Sequence, residues 1–171
     1  SVALFRALSL GRDVAFSLNM LAATLHLQGA YREEELLLRE SIALCRKAGD
    51  RWLCAYSLND LGMVRNLSGD HREAQRLSQE SLAILRSIGD KRGVAFALNN
   101  LGVIAASLKA YDEATRLHRE SLTLRRGSGD GWGVAVSLTQ LGRVARLTGN
   151  AGEAKGYFSD ALDAANKVRA L

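Results

Sequence analysis

Amide side chains recur at 40-residue intervals along this chain of 171 residues, at Asn19, Asn59 and Asn99, and Thr139 occupies the next position. A primary amide carries two hydrogen-bond donors and an acceptor oxygen, so a column of amides can bond to the N–H and C=O groups of an extended peptide. Asparagine is otherwise a poor residue for a helix interior, since its amide competes for nearby backbone groups. The column predicts either contacts with a bound peptide or bonds between neighbouring helices that set their stacking.

The same helical face carries further residues that could contact a peptide. Aromatic and aliphatic side chains could cover its apolar residues, and an adjacent polar column could bond to it. His26 lies on this face as well and could contact a ligand. The candidate peptide-binding residues are Asn19, Tyr56, Asn59, Asp60, Met63, Asn66, Phe96, Asn99, Asn100, Val103, Thr139, Arg143 and Arg146.

Charge is unevenly distributed between the two halves of the chain. Residues 1–90 carry 11 Lys and Arg against 11 Asp and Glu, whereas residues 91–171 carry 12 against 7. Arg143 and Arg146 could therefore meet an acidic peptide or a small anionic ligand. The alternative is that these are solvated surface charges. The basic residues form no long cluster and are interleaved with Glu113 and Glu120, which argues against nucleic acid as the partner.

The sequence contains no recognisable catalytic or metal-binding motif: HExxH, GxSxG, P-loop and CxxC spacings are all missing. Cys45 and Cys54 stand where other repeats carry apolar residues, which predicts buried thiols. An enzyme needs an asymmetric site, whereas this chain repeats itself. We therefore predict a noncatalytic protein without a cofactor or metal.

Four repeats of about 40 residues must position these side chains. Each repeat predicts two helices, with Gly-Asp at 49–50, 89–90 and 129–130 ending one helix and capping the next. The predicted repeats are 11–50, 51–90, 91–130 and 131–171, and residues 1–10 are predicted to end the second helix of a truncated preceding repeat. Two columns bear on packing: Ala22, Gly62, Gly102 and Gly142, and the column Glu34, Ala74, Ala114 and Ala154, which Glu34 interrupts.

The glycine column requires an explanation. A glycine inside a helix costs about 1 kcal/mol relative to alanine. Close approach of the first helix to the second would justify three of them, because no Cβ then stands between the backbones.

Composition sets the class and the compartment. The chain has no proline, is 47% hydrophobic and balances charges of both signs, which is typical of an all-helical protein. No apolar run approaches the roughly 20 residues that span a bilayer, and no signal peptide is recognisable. We therefore expect no membrane association and a cytoplasmic location. The first residues already belong to an amphipathic pattern, which suggests a segment of a longer protein.

The stretch LNNLGVIAASLKAYDEATRLHRESL, residues 98–122, resembles the tetratricopeptide repeat at Leu98, Leu101, Gly102, Tyr111, Ala114 and Ser121. The 40-residue period is similar to the variant in kinesin light chains, LGN/Pins proteins and sensor regions of bacterial multidomain regulators. The resemblance covers essentially the whole chain. It implies an all-α solenoid, a right-handed superhelix of antiparallel helix-turn-helix repeats whose first helices line the concave surface. It also implies that asparagines of the LNNLG type contact bound peptide.

These observations predict a noncatalytic scaffold that binds a peptide or protein segment, as the sensor or scaffold part of a cytoplasmic regulator. Two alternatives stay open. One is a regulatory sensor for a small anionic ligand, held by Arg143 and Arg146. The other is a structural spacer that self-associates end to end, because the last helix would leave a set of apolar residues uncovered: Ala161, Leu162, Ala165 and Val168.

Overall fold

The computed structural model describes residues 2–169, with side chains described from residue 10 onward, and the described range is helical with short turns. The fold class predicted from the sequence, all-α with helix-turn-helix repeats, is confirmed. The helices are α1 (Val2–Gln28), α2 (Tyr31–Ala48), α3 (Arg51–Leu67), α4 (His71–Ser87), α5 (Lys91–Ser107), α6 (Tyr111–Gly127), α7 (Gly131–Leu147) and α8 (Ala151–Arg169).

The chain forms two compact units, Ser1–Gly89 and Asp90–Leu171. Unit 1 comprises α1–α4 and unit 2 comprises α5–α8. In unit 1 the pairs α1–α2 and α3–α4 form helical hairpins, and α2 packs against α3. Unit 2 repeats this arrangement with α5–α6, α7–α8 and a packed α6–α7 pair. We call α1, α3, α5 and α7 the A helices, and the others the B helices.

The Gly-Asp turns act as predicted. Gly49 and Gly129 adopt left-handed backbone conformations, with φ of 72° and 70°, which glycine accepts without steric cost. The carboxylate of Asp50 then accepts a hydrogen bond from the Leu53 amide at 3.0 Å, and Asp130 accepts one from the Gly133 amide at 2.9 Å. These caps fix where α3 and α7 begin.

The start of the chain differs from the prediction. Residues 2–10, assigned from the sequence to the B helix of a preceding repeat, continue without a break into α1. The reason is local, because Ser9 and Leu10 stand where the later repeats carry the Gly-Asp turn. With neither a left-handed glycine nor an Asp cap at that point, one helix of 27 residues forms instead of two.

The glycine column permits close helix packing, as predicted. A Cβ built on Gly62 would lie 2.5 Å from Ser78 Oγ, and one on Gly102 would lie 2.5 Å from the His118 ring. Gly142 meets Phe158 in the same way, at 2.7 Å. Each A helix of these repeats thus lies against its own B helix at a distance that a methyl group would prevent.

A serine column ties the two helices of each hairpin together. The hydroxyls of Ser41, Ser81 and Ser121 donate to A-helix carbonyls at 2.9, 2.7 and 2.7 Å, all three buried. A helix hydrogen bond leaves one lone pair of the carbonyl oxygen free, and each serine hydroxyl bonds to such a buried oxygen. These contacts join the two helices of the hairpin and leave no polar atom of the pair without a partner.

Cys45 and Cys54 are buried free thiols, as predicted. The hydrogen bond between them lowers the pKa of Cys54 to about 7 and raises the pKa of Cys45. At the other end of the chain, Leu162 and Val168 are exposed as predicted, but Ala161 is buried in the core of unit 2 with Leu138. None of the helices in the described range is both long and apolar enough to span a membrane.

Candidate functional site

The asparagine column lies inside the protein. Asn19, Asn59 and Asn99 are 6%, 0% and 5% exposed. The Asn19 amide donates to Ser57 Oγ at 2.9 Å, which joins α1 to α3. This is a bond between neighbouring A helices, the kind of contact that the sequence left as an alternative to peptide binding.

Asn59 and Asn99 are enclosed without the partners that Asn19 has. Within the described residues, neither amide atom of Asn59 makes a hydrogen bond, and Asn99 Oδ1 makes none. Asn66 is also buried, and its oxygen lies 2.8 Å from His71 Nδ1. Asn59, Asn66 and Asn99 were predicted to face a peptide, but their side chains are turned into the protein. Successive helix positions differ by about 100°, and these three residues lie on the face towards the neighbouring helix.

The stripe of α3 that meets solvent lies one position away from the asparagines. Its residues follow the helix repeat i, i+4, i+8 and i+11, and they are Trp52, Tyr56, Asp60 and Met63. The Trp52 and Tyr56 rings lie 4.5 Å apart between centroids. Aromatic, acidic and thioether groups therefore share one accessible face, which we call the α3 stripe.

A cluster of acidic and imidazole groups adjoins the α3 stripe. His26 Nδ1 of α1 lies 3.0 Å from both carboxylate oxygens of Glu34 in α2, and Glu34 is buried. Burial raises the pKa of Glu34 against the lowering effect of His26. Burial also raises the pKa of Asp60 to about 7, and the charge of Glu34 adds to that rise, while His26 and Asn19 oppose it.

We call His26, Glu34 and Asp60 the acid cluster. His26 bonds to Glu34, and the charges of Glu34 and His26 both act on Asp60, so a positive group brought to Asp60 would relieve the repulsion between the two carboxylates. The sequence pattern marked Asp60 and His26 as residues that could contact a ligand, but no spacing connected Glu34 with them. The signal was present, because Glu34 is the one residue that breaks the alanine column.

The stripes of unit 2 that correspond to the α3 stripe mix polar and apolar residues: Arg92, Phe96, Asn100 and Val103 on α5, and Trp132, Val136, Gln140 and Arg143 on α7. Phe96 and Val103 are half-buried, and Asn100 between them is 6% exposed, so its amide is less accessible than predicted. On α7, Thr139 is exposed, and its hydroxyl donates to the Ala135 carbonyl at 2.9 Å.

Arg143 and Arg146 are exposed on α7. One guanidinium nitrogen of Arg143 donates to Gln140 Oε1 at 3.3 Å. Neither arginine forms an ion pair within the described part of the chain, so both charges are available to an anionic group. In the same part of the chain no three His, Cys, Asp or Glu side chains converge in a way that could hold a metal ion.

The fold of the chain is similar to several solved structures. BtubC (BKLC) from P. vanneervenii matches with a TM-score of 0.75 and 19% identity, over 92% of this chain and 65% of that one. The apo form of RapI matches with a TM-score of 0.80 and 16% identity, over 92% and 58%. A Rap protein complexed with Competence and Sporulation Factor matches with a TM-score of 0.82 and 13% identity, over 90% and 43%. The chain spans between two fifths and two thirds of these proteins.

No curated protein matches the sequence. Two family models do, and both are described as tetratricopeptide repeat. One matches residues 53–127 and 93–167, and the other matches residues 14–48. Together they cover the four hairpins that the 40-residue period predicted. The chain therefore belongs to the tetratricopeptide-repeat family.

Proposed function

We propose that this protein is a noncatalytic interaction module that binds a peptide or protein segment on the faces of its A helices. The observation that carries the proposal is the combination, on accessible A-helix stripes, of aromatic groups with charged groups that lack a full complement of partners. Tetratricopeptide repeats are generally interaction scaffolds, and the family membership supports this class of function.

In unit 1 the α3 stripe would supply the contacts. Trp52 and Tyr56 offer aromatic faces, which bury much apolar area per residue at a small cost in conformational entropy. Asp60 and the acid cluster would attract a Lys, Arg or amino-terminal group of the peptide, since that charge would lower the cost of ionising Asp60.

In unit 2 the exposed guanidinium groups of Arg143 and Arg146 would hold acidic side chains or the carboxyl terminus of the segment. An arginine can bind a carboxylate through two parallel hydrogen bonds, which adds orientation to attraction. Phe96 and Val103 would cover apolar residues. The preferred ligand therefore carries both signs of charge, and an acidic segment alone would use unit 2 only.

Peptide-display selection on the full chain tests the proposal. Selected peptides are retested by calorimetry on Asp60→Asn and on the Arg143→Ala, Arg146→Ala double variant. We expect at least tenfold weaker binding for one of them, which corresponds to about 1.4 kcal/mol. The matched control is Arg116→Ala with Arg119→Ala, which removes two exposed guanidinium groups from the B helix α6.

Two results would contradict the proposal. One is a failure to select any peptide. The other is binding that the control weakens as much as the α7 double variant does, because the recognised surface would then be a B-helix face or the overall charge. Folding of every variant is checked by circular dichroism, so that a loss of binding is not a loss of structure.

The wider role follows from the same fold. We propose that the module is a sensor or scaffold part of a cytoplasmic regulator. Support comes from the Rap structure solved with Competence and Sporulation Factor, although likeness at 13% identity concerns the fold alone. Self-association through the surface around Leu162, a residue that is 62% exposed, is the competing function. Sedimentation of Leu162→Glu beside the wild-type chain distinguishes the two functions, since this variant should lose self-association and keep peptide binding.

A further inference from the structure

Unit 2 contains a cavity that is lined by Arg92 and Trp132 of the A helices but not by Phe96, Val103, Arg143 or Arg146. Its volume is about 920 Å³, and its walls are Arg92 of α5, the C-terminal end of α6, the following turn, the N-terminal half of α7 and the C-terminal half of α8. We call it the α6–α8 cavity. Its volume lies near the upper end of the range typical of pockets for small ligands, about 300–1,000 Å³.

The repeat itself shows why this cavity is open. Residues of unit 1 that lie 80 positions earlier make closing contacts: Arg46 of α2 pairs with Glu80 of α4 at 2.7 Å, and Arg51 of α3 donates to Ser87 Oγ of α4 at 2.6 Å. Ile84 packs against the core between them.

Shorter or smaller residues stand at three of these positions in unit 2. Asp160 replaces Glu80, Gly131 replaces Arg51, and Ala164 replaces Ile84. Each of these three changes removes side-chain atoms at the cavity, whereas Lys167 in place of Ser87 adds some. In unit 1 the corresponding α4 residues Glu80 and Ser87 contact α2 and α3.

The cavity holds an accessible indole. Trp132 is 67% exposed, whereas its counterpart Trp52 is 46% exposed and lies 4.5 Å from the Tyr56 ring. Val136 occupies the position that corresponds to Tyr56. Trp132 therefore lacks that aromatic neighbour, and one indole face can pack against a ligand.

The cavity is lined by charged groups of both signs. Arg92, Arg125 and Arg126 come from α5 and α6, Asp130 comes from the turn before α7, and Asp160, Asp163 and Lys167 come from α8. Within the described residues, none of these seven side chains forms an ion pair. Arg126 and Asp160 occupy the positions of the paired Arg46 and Glu80, and the aspartate is one methylene shorter.

Arg125 is the buried arginine of the cavity lining. It is 6% exposed, and one of its nitrogens donates to the Gly133 carbonyl at 2.6 Å. Burial lowers its pKa, and the charge of Asp130 opposes that effect. A guanidinium group enclosed with one carbonyl partner retains donors for an anionic group, since it has five N–H groups.

We propose that the α6–α8 cavity binds a small zwitterionic ligand of the amino-acid or short-peptide class. The ligand carboxylate would bond to Arg125 and Arg126. Its ammonium group would lie between Asp160 and Asp163. An apolar side chain would pack on Trp132. The presence of both signs of charge favours a zwitterion over a simple anion, because an anion would bring no positive group to Asp160 and Asp163.

Tryptophan fluorescence gives a direct measurement. The chain has two tryptophans, so Trp52→Phe leaves Trp132 as the single reporter. The full chain is titrated with the twenty L-amino acids and with the dipeptides Leu-Gly and Phe-Gly, and every response is repeated by calorimetry on the wild type. We expect saturable binding of at least one probe, at least tenfold weaker when either its amino or its carboxyl group is blocked by acetylation or amidation.

Variants that copy unit 1 supply the structural test. Asp160→Glu with Ala164→Ile restores the residues that close the corresponding space and should weaken binding at least tenfold. If that variant does not fold, Arg126→Gln and Asp163→Asn alter only exposed side chains, and each should weaken binding at least fivefold. Trp132→Ala, read by calorimetry, should do the same.

Three outcomes would overturn the proposal. The first is no saturable binding of any probe up to about 10 mM, since even a weak pocket site binds in the millimolar range. The second is equal binding of the free and blocked forms, or of acetate, which would show that one charge suffices. The third is unchanged binding in a folded cavity-filling variant, which would place the ligand elsewhere.

Discussion

Adding a single methyl group at Gly102 tests the close packing of A and B helices. An ideal Cβ there would lie 2.5, 2.7 and 2.8 Å from three atoms of the His118 ring. Optimal separations between such atoms are about 3.5–4.0 Å, so the ring or the helix must move by about 1 Å. His118 is 1% exposed, and it has little free space into which to move. Overpacking of this kind typically costs about 1–3 kcal/mol.

The matched control is Gly156, which lies within α8. A Cβ there would meet nothing within 4 Å, and the residue is exposed. Gly156→Ala should therefore gain the helix propensity of alanine, about 1 kcal/mol. Gly102→Ala gains the same amount and then loses the packing term. The difference between the two free energies of unfolding isolates the clash, and we expect about 1–3 kcal/mol in favour of Gly156→Ala.

Thermal and urea unfolding measure this difference. For a chain of this length 1 kcal/mol corresponds to roughly 2–4 °C in melting temperature. His118→Ala should relieve the clash, so the double variant with Gly102→Ala should be more stable than the sum of the single changes predicts, by about 1 kcal/mol or more. Equal stabilisation by Gly102→Ala and Gly156→Ala would refute the argument, as would strict additivity with His118→Ala.

Three further predictions concern polar groups of the interior. Burial lowers the pKa of His118 from 6.5 to about 4, so the unfolded chain takes up a proton before the folded chain does. Stability therefore falls as the pH drops from about 6.5 to 4. In urea titrations at pH 7 and at pH 5, His118→Phe should lose less stability between the two pH values than the wild type. The pKa of Asp60 is raised from 3.8 to about 7, so its effect on stability has the opposite pH dependence. Its contribution to the free energy of unfolding is complete below pH 4 and is lost as the pH rises through 7. Asp60→Asn should therefore exceed the wild type in melting temperature at pH 8 and match it at pH 4. Asn19→Ala should cost about 1 kcal/mol in urea unfolding through its lost bond to Ser57, and selected peptides should bind the variant with unchanged affinity in calorimetry.

Local features of the fold could be predicted from the sequence because they depend on neighbouring residues. The Gly-Asp turns require only a left-handed glycine and an Asp side chain three residues from a free amide, and both are visible in the chain. The close helix approach at Gly102 could be predicted because a glycine in a helix interior is costly without such a reason. The continuity of α1 shows the same rule, since it follows from a missing Gly-Asp pair.

The candidate site was less predictable because it depends on angles and on separate elements. Asn59 and Asp60 are adjacent in sequence, and about 100° of helix rotation puts the first inside and leaves the second half-buried. A periodic pattern identifies the two columns but does not say which one faces the neighbouring helix. The acid cluster unites α1, α2 and α3, and no spacing rule links His26, Glu34 and Asp60.

Departures from the repeat connect these findings. Positions that recur every 40 residues are occupied by the leucines, glycines and serines that build each hairpin, and such positions cannot distinguish one repeat from another. A ligand that binds at one place needs an asymmetry. Glu34 supplies one by breaking the alanine column in unit 1. Gly131 and Ala164 supply another by opening in unit 2 a space that unit 1 fills. Burial and the charge of Glu34 raise the pKa of Asp60, and Arg126 and Asp160 lack the ion pair that Arg46 and Glu80 form, so restoring the repeat residue at each departure, as in Ala164→Ile, should raise stability. Under the two proposals, the ligands that use these charges would offset that cost.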